Sequence, residues 1–315
     1  MPLVATALVY EHWSARHLDV GITGNSGKTP SAAANYFSTG AAFSSPFPYI
    51  TPSDFDTAIG KSSYDAFQAS LNGRSFRGLT YLVSYTWSKT LDLGCTGWYG
   101  VEGCSIQHPY DLKQDKGPAA TDIPQIFSAA WVYQLPFGKG QKYTSTGPLN
   151  YIAGGWTVNG IVSFSSGRPF SVGATGDLAH IAYNTACCDF GFGNYERLNL
   201  VGNPNSGTCR NGSPVHTAAC WINDTAFQTP VAGTFGNLGR NSLRSDRFKN
   251  VDFSLFKIFP ISERTKLEFR FEAFNLTNTQ VLAIPDQNNS DASFAKVSST
   301  ANTARQLQFG LKLYF

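Results

Sequence analysis

The chain has 315 residues and a net charge of +3, with 14% charged residues, 14% aromatic residues and a single methionine. Charged residues make up roughly 25% of an average soluble domain, so charge is scarce here. The small net charge argues against a nucleic-acid-binding protein, and no stretch approaches the run of about 20 apolar residues that a membrane-spanning helix requires. This composition suits a secreted all-β protein or a transmembrane β-barrel, whose strands are apolar on one side only.

The amino terminus does not have the composition of an export signal. The first ten residues, MPLVATALVY, contain no basic residue, and Glu11, His12 and Trp13 follow them directly. A secretory signal peptide has a basic start, an apolar core of about 7–15 residues and a small-residue cleavage site. Two interpretations remain: the protein is cytoplasmic, or the chain is the tail of a longer one whose leader lies upstream.

Apolar residues recur at every second position in nine segments of the chain. A β-strand turns successive side chains to opposite faces, so this period predicts strands with one apolar and one polar face. The predicted strands are residues 4–10, 17–22, 64–72, 80–88, 127–135, 156–168, 248–258, 266–273 and 303–315. Most are close to the length of about 9–11 residues with which a tilted strand crosses a bilayer. No segment has a convincing helical period.

Residues 266–273 alternate without exception. The polar positions are Lys266, Glu268, Arg270 and Glu272, which taken alone resemble a set of acid–base residues. On a strand they form a ladder with steps of about 7 Å. We therefore interpret them as paired charges on a solvated barrel wall.

The connections between the predicted strands differ in length in a regular way. Short connections (11–16, 73–78 and 260–263) and one of intermediate length (137–155) alternate with long ones (23–63, 89–123, 167–247 and 278–303). Short turns at one rim and long loops at the other are typical of outer-membrane barrels. We predict that the long loops are extracellular and that the C-terminus is periplasmic.

Six cysteines lie in the long connections and none lies in a predicted strand: Cys95, Cys104, Cys187, Cys188, Cys209 and Cys220. An even number of cysteines confined to outward loops fits disulfides in an oxidising exterior. The simplest pairs are Cys95 with Cys104 and Cys209 with Cys220, whereas Cys187 and Cys188 form a vicinal bridge or reach another loop. The alternative is a zinc site, but no C-x-x-C motif occurs and the five histidines are scattered. We expect no metal and no other cofactor.

Enzyme motifs are poorly matched. The segment GITGNSGKT (21–29) resembles a phosphate-binding P-loop, but that motif has four residues between its first Gly and the Gly-Lys pair. Gly21 is therefore one position too early for Gly27 and Lys28. The histidines have no Ser or Cys at a recognisable spacing, so nucleophilic catalysis has no support. We expect that the protein is not an enzyme.

The last strand has the most informative pattern. Its apolar positions are Leu307, Phe309, Leu311, Leu313 and Phe315, and the residues between them are mostly polar. The chain ends on an aromatic residue, as in the C-terminal assembly signal that the barrel assembly machinery reads in outer-membrane proteins. We predict that this strand faces outer-membrane lipid on one side and an aqueous lumen on the other.

Six segments carry a more specific resemblance. They are GLTYLVSYTWSKTLDLG (78–94), WVYQLPFGKG (131–140), GWTVNGIVSFSSGRPFSV (155–172), TFGNLGRNSLRSDRFKNVDFSLFKIFPI (234–261), LEFRFEAFNLTNT (267–279) and ARQLQFGLKLYF (304–315). Together they resemble the C-terminal barrel of TonB-dependent outer-membrane receptors, most closely the Oar-like subgroup, over roughly residues 60–315. This resemblance implies a 22-stranded barrel filled by an N-terminal plug, and energised uptake of a scarce, bulky ligand through the TonB complex.

The chain departs from that family pattern. It has no plug, no TonB-contacting segment and no leader, and only about nine of 22 strands. With nine alternating strands the first and last run in the same direction, whereas outer-membrane barrels have even strand numbers and antiparallel neighbours. An unclosed sheet in lipid leaves edge groups unpaired. We therefore predict an all-β, antiparallel, partial transmembrane β-barrel, one domain over residues 1–315, from a truncated receptor.

Two functional hypotheses follow. In the first, the chain supplies barrel wall and outer loops to the ligand vestibule of a transporter, with the TonB complex engaged only through the missing plug. The candidate ligand contacts in its longest loop are His180, Tyr183, Asn184, Phe190, Phe192 and Tyr195. In the second, the chain belongs to a structural or adhesive surface protein that transports nothing. The sequence names no ligand.

Overall fold

Eight long strands form the main sheet of the protein. In the computed structural model they are β1 (Val4–Gly24), β2 (Ser53–Phe76), β3 (Leu79–Asp92), β4 (Gln125–Gln134), β5 (Trp156–Ser165), β6 (Phe248–Pro260), β7 (Lys266–Phe274) and β8 (Gln306–Tyr314). Each strand pairs antiparallel with the next along the chain. The structure describes residues 4–24, 53–93, 107, 111–138, 143, 152–175, 178 and 195–315. In this part of the chain β1 and β8 lie at the two edges of an open sheet, which confirms the predicted partial antiparallel barrel.

The remaining described elements are short. They are the strands Gly117–Pro118, Pro169–Phe170, Gly173–Thr175, Tyr195–Arg197, Asn199–Leu200, Phe227–Gln228 and Leu243–Arg244, and the 3-10 helices Leu112–Asp115 and Asp224–Ala226. Gly117–Pro118 extends the main sheet by pairing with the end of β3. The other short strands form three separate two-stranded sheets.

Two of the nine predicted strands are parts of one. Residues 4–10 and 17–22 both lie in β1, because residues 11–16 keep pairing with β2 although their side chains do not alternate; Glu11 is opposite Ala66 and Arg16 is opposite Lys61. Backbone pairing needs no apolar period, so the sequence pattern could not show that residues 11–16 continue the strand. The first and last strands of the eight therefore run in opposite directions, and the difficulty of a parallel seam does not arise.

The shorter and the longer connections lie at opposite rims of the sheet, as the sequence predicted. Residues 77–78, 135–155 and 261–265 connect strands at the rim where β8 ends, called here the short-turn rim. Residues 25–52, 93–124, 166–247 and 275–305 connect strands at the opposite rim, called the long-loop rim. The turn at Arg77 and Gly78 has positive φ at both residues (51° and 84°), as a two-residue turn between twisted antiparallel strands requires.

One face of the sheet is apolar from β2 to β8. The strand register places on it the odd-numbered residues 67–73, 79–87, 127–133, 251–259, 267–273 and 307–313 and the even-numbered residues 156–164. All are aliphatic, aromatic or glycine except Lys257. We call this the apolar face. Most of its side chains are half-buried, and several are exposed, among them Trp87 at 60%, Phe309 at 70% and Leu311 at 72%. In water they would form a large exposed apolar patch.

Lys257 reaches out of the apolar face toward the short-turn rim. Its ammonium group lies 5.0 Å from the ring centre of Trp156 and 4.7 Å from that of Phe259. The amine donates a 2.8 Å hydrogen bond to the carbonyl oxygen of Ile152, in the connection before β5. Lys257 is buried, so the two rings and this carbonyl oxygen take the place of water around its charge.

The opposite face, called here the polar face, carries small and charged side chains. Ser70, Ser84, Ser128 and Ser163 lie side by side in one row across β2, β3, β4 and β5. Large apolar residues also lie on this face, among them Leu82, Ile126, Val132, Ile161 and Ile258.

On β7, the predicted charge ladder lies on the polar face. Arg270 pairs with Glu268, and the Tyr314 hydroxyl donates a 2.5 Å hydrogen bond to Glu268 Oε2. Lys312 is directly opposite Glu268 on β8. The ladder is therefore a wall of paired charges on the side away from the apolar face.

Candidate functional site at the long-loop rim

The long loops pack into a unit with its own hydrophobic core, called here the loop cap (the described residues of 107–124, 166–247 and 275–305). Twelve buried residues form this core: Phe170, Val172, Ala174, Leu198, Trp221, Ile222, Ala226, Phe227, Leu238, Leu243, Phe294 and Ala295. All come from the loops after β5 and after β7. Because the sheet turns its apolar side chains outward, the principal core of the described protein lies in its loops.

A backbone hydrogen bond of Trp221 joins the two loops, and its indole hydrogen bond lies within the 166–247 loop. The Trp221 backbone N–H donates to the carbonyl oxygen of Ala295 at 2.8 Å, and the Trp221 indole N–H donates to the carbonyl oxygen of Arg244 at 2.8 Å. Trp221 is 6% exposed. A buried aromatic side chain whose N–H is hydrogen-bonded adds buried apolar area to a small core, and the hydrogen bond fixes the orientation of the ring.

A disulfide joins Cys209 and Cys220 inside the loop cap, with a Cα–Cα distance of 6.0 Å. This is one of the two pairs that the sequence suggested as simplest. The other candidate cysteines, Cys95, Cys104, Cys187 and Cys188, lie outside the described residues. Closing an 11-residue separation restricts the unfolded loop, and bridges of this kind typically contribute about 2–4 kcal/mol.

Three arginine–aspartate pairs form what we call the hub, and one of them, Arg240 with Asp92, connects the loop cap to the sheet. Arg197 donates to Asp115 at 2.7 Å, and the other two pairs are Arg240 with Asp92 and Arg244 with Asp122. The arginines come from the 166–247 loop, whereas Asp92 ends β3 and the other two aspartates lie in the loop that follows it. The hub thus joins residues that are 82 to 148 positions apart in sequence.

Besides its ion pair with Asp92, Arg240 donates hydrogen bonds to several backbone carbonyl oxygens. Its Nε donates to the carbonyl oxygen of Asp115 at 2.9 Å, and one Nη donates to those of Asp92 at 3.2 Å and Gly117 at 3.4 Å. Burial lowers the pKa of Arg240 to about 10, so the guanidinium keeps its charge at neutral pH. Gly117 is required beside it, because a Cβ there would collide with the carbonyl oxygen of Arg240.

Asp122 ties the hub to the edge of the polar face. Its side chain is fully buried and accepts a 2.6 Å hydrogen bond from the backbone N–H of Thr90. Arg244 also donates to the backbone carbonyl of Asp122 at 2.6 Å. Ser88, on the polar face of β3, donates its hydroxyl to the carbonyl oxygen of Ile123 at 3.2 Å. The loop cap is therefore anchored at the long-loop end of β3, through Ser88 on the polar face and also through Lys89 on the other face, whose amine lies 3.4 Å from Asp122.

A cleft of about 500 Å³ opens beside the hub, lined by Gln114, Arg197 and residues 235–239. The Arg197 guanidinium also donates to the carbonyl oxygens of Leu238 at 3.0 Å and Gln114 at 3.1 Å. The guanidinium nitrogens of Arg197 thus bond to other residues of the loop cap. Gly236 comes so close to the backbone of Arg197 that a Cβ would collide with it, which shapes the floor of the cleft.

The candidate ligand contacts fall mostly outside the described residues. This applies to His180, Tyr183, Asn184, Phe190 and Phe192. Tyr195 begins the strand Tyr195–Arg197, of which only the backbone is described at Tyr195. Two residues farther on is Arg197, a member of the hub that sequence reasoning did not single out.

The structure describes some of the residues on which the predictions about enzyme and metal motifs depend. Residues 21–24 of the P-loop-like segment belong to β1, and residues 25–29 lie outside the described part. Among the described residues, no three His, Cys, Asp or Glu side chains are close enough together to hold a metal ion. None of the described residues belongs to a helix with the length and apolarity that a membrane crossing requires.

The apolar face, the sorted connections and the loop cap agree with the comparison with known families. The model of the outer membrane beta barrel domain matches residues 6–308. The chain belongs to the outer membrane β-barrel domain family. No curated protein and no solved structure matches the chain. As a member of this family the chain is an outer-membrane barrel protein. Barrels of this kind turn an apolar band of side chains toward lipid.

Proposed function

We propose that the chain is the C-terminal part of a TonB-dependent receptor of the Oar-like subgroup, supplying barrel wall and outer loops for uptake of a scarce, bulky ligand. The TonB complex would act only through an N-terminal plug encoded upstream. The other partners would be outer-membrane lipid and the barrel assembly machinery. The proposal includes no catalysis, no cofactor and no nucleic acid.

The anchoring of the loop cap on the polar side of the sheet is the observation that carries this proposal. A loop unit that served only as an outward adhesive surface would not need to bond to the lumenal side of β3. Here Ser88 and Asp92, both on the polar face, hold the loop cap through Ile123 and Arg240. Loops fixed over the mouth of a lumen are placed to form a ligand vestibule.

The open edges of the sheet support a larger barrel. In lipid an unpaired strand edge costs several kcal/mol for each unsatisfied backbone group. The free sides of β1 and β8 therefore require pairing partners, and we propose that further strands of a longer receptor supply them. β1 and β8 run in opposite directions, so an even number of additional antiparallel strands would close the wall.

The orientation of the barrel is part of the same proposal. We propose that the long-loop rim is extracellular and that the C-terminus is periplasmic. The disulfide between Cys209 and Cys220 supports this, since it lies in the loop cap and suits an oxidising exterior. Leu307, Phe309, Leu311, Leu313 and Phe315 would then form the assembly signal, on a strand whose side chains are exposed at the edge of the sheet.

Sequencing several kilobases of DNA upstream of the Met1 codon tests the proposal. We expect an open frame that encodes a leader, a plug and the remaining strands. A stop codon directly upstream, with a transcript that starts at Met1, would contradict it. That outcome would favour a decayed gene or a structural or adhesive surface protein.

A further inference from the structure

The cleft beside the hub is bounded by three segments that lie far apart in the sequence. Its described walls are Gln114, on the 3-10 helix Leu112–Asp115, Arg197, at the end of the strand Tyr195–Arg197, and residues 235–239. The volume of about 500 Å³ falls within the range of about 300–1,000 Å³ that is usual for small-molecule sites. The cleft is therefore large enough for a small ligand, and the chemistry of its walls decides which kind.

Gln107 holds these three walls in one arrangement. It is 5% exposed, and its side chain donates a 3.0 Å hydrogen bond to the carbonyl oxygen of Gly236 and accepts one of 2.9 Å from the backbone N–H of Arg197. The backbone N–H of Gln107 donates to Asp115 Oδ1 at 3.1 Å. Because one buried residue bonds to all three walls, the cleft is formed without a ligand, and binding would cost little ordering of these segments.

The described walls of the cleft carry no charge that a ligand could use. Arg197 is the one charged residue among them, and its side chain is 6% exposed. Its guanidinium is paired with Asp115 at 2.7 Å and also bonds to two backbone carbonyl oxygens. A charged ligand would give up hydration here without gaining an opposite charge, which is unfavourable. The cleft therefore suits an uncharged ligand.

Two exposed carboxamide groups and an aromatic ring remain for contact with such a ligand. Gln114 and Asn237 are exposed. Asn237 Oδ1 accepts a 2.7 Å hydrogen bond from the backbone N–H of Leu200, while its amino group has no partner among the described residues. A carboxamide both donates and accepts hydrogen bonds. Phe235 is half-buried, so part of its ring is open to the cleft that it lines.

We propose that this cleft binds a neutral saccharide. The inference rests on the proposed function and names the chemical class of the ligand that the loop cap would bind. Sugar hydroxyl groups donate and accept hydrogen bonds, as the carboxamides of Gln114 and Asn237 do, and the C–H face of a sugar ring packs on an aromatic ring such as that of Phe235. An apolar ligand would instead desolvate the two amides and leave them unpaired.

An extended peptide is the other uncharged ligand with hydrogen-bonding groups, but the cleft offers it little backbone. The N–H groups of Asn237 and Leu238 already donate to residues 198–199. The carbonyl oxygens of Gly236 and Leu238 already accept from side chains of the loop cap. A peptide that adds to a sheet edge requires a row of unpaired backbone groups. Side-chain amides and a ring thus favour the saccharide.

A glycan array, probed with the detergent-solubilised protein translated from its complete reading frame, tests this proposal. The probes are neutral oligosaccharides of glucose, galactose and mannose, the corresponding uronic-acid oligosaccharides, and uncharged peptides. We expect binding to a neutral oligosaccharide and to neither of the other classes. Calorimetric titration with that oligosaccharide should give a Kd about tenfold higher for Gln114→Leu and for Asn237→Asp, because each loses hydrogen bonds to hydroxyl groups. Asn237→Asp keeps the acceptor for the N–H of Leu200.

A matched variant controls for a general effect on the loops. Gln280 is exposed in the loop after β7 and does not line the cleft, so Gln280→Leu should bind like the wild type. All three variants should keep the heat-modifiable gel mobility of a folded barrel. The proposal would be overturned by an array without a bound neutral saccharide, by preference for uronic acids or peptides, by wild-type affinity in both cleft variants, or by equal loss in Gln280→Leu. A plug found upstream would leave the proposed function standing in each of these cases.

Discussion

Replacing Val83 by Arg is expected to destabilise the inserted protein by about 2–4 kcal/mol. Val83 lies at the middle of the apolar face of β3, opposite Leu71 on β2 and Ala129 on β4. A charged side chain at this depth would be surrounded by lipid, and Arg on the lipid side of a barrel at the bilayer midplane costs about that amount. Urea unfolding of the protein in liposomes measures the change.

The neighbouring substitution Ser84→Arg is the control. Ser84 is one residue farther along β3 and lies on the polar face, opposite Ser70 and Ser128. We expect this variant to lose less than about 1 kcal/mol, because its charge faces the lumen. Equal losses for Val83→Arg and Ser84→Arg would contradict the assignment of the two faces.

Replacing Arg240 by Ala is expected to loosen the loop cap by about 3–5 kcal/mol while leaving the sheet intact. The substitution leaves the buried Asp92 carboxylate without its guanidinium partner, and removal of one member of a buried ion pair typically costs this much. It also removes the donors to the carbonyl oxygens of Asp115 and Gly117. Hydrogen exchange should show faster exchange in the loop cap and unchanged protection in β3 and β6.

Two further variants separate the hub from a general effect of losing an arginine. Arg210 is an exposed loop residue, so Arg210→Ala should change stability by less than about 0.5 kcal/mol. Adding Asp92→Asn to Arg240→Ala should recover part of the loss, because no buried charge is then unpaired. If the loop cap exchanged its amide hydrogens as slowly in Arg240→Ala as in Arg210→Ala, the hub would have no role in holding the loop cap.

The sheet was largely predictable because its strands alternate. The predicted strand 266–273 differs from β7 by one residue, and the predicted strand 80–88 lies inside β3. Lipid on one side and a polar lumen on the other impose the period of two directly on the sequence. The full lengths of β1 and β2 were not predictable, because both strands extend beyond the apolar band. Their pairing there depends on backbone hydrogen bonds, which leave no periodic pattern in the sequence.

The loop cap was less predictable for a different reason. The segment 234–261 carries part of the family resemblance, but its sequence does not say that Arg240 reaches Asp92 or that Arg244 reaches Asp122. These contacts span about 120 to 150 positions of the chain and have no local signature. The one hint is that charge is scarce in this chain, so arginines in a loop of small residues stand out. Cysteine spacing was a better guide, since Cys209 and Cys220 do form a bridge.

The lipid-facing assignment of the odd-numbered residues of β3 is the basis of the whole account, and a nitroxide scan of residues 80–88 tests it most directly. A nitroxide amino acid is introduced at each position in turn, in the protein translated from its complete reading frame and inserted into liposomes. We predict that collision with oxygen is highest at positions 81, 83, 85 and 87, and that collision with a water-soluble nickel chelate is highest at the even positions. A scan without this alternation, or with the two faces reversed, would contradict the account.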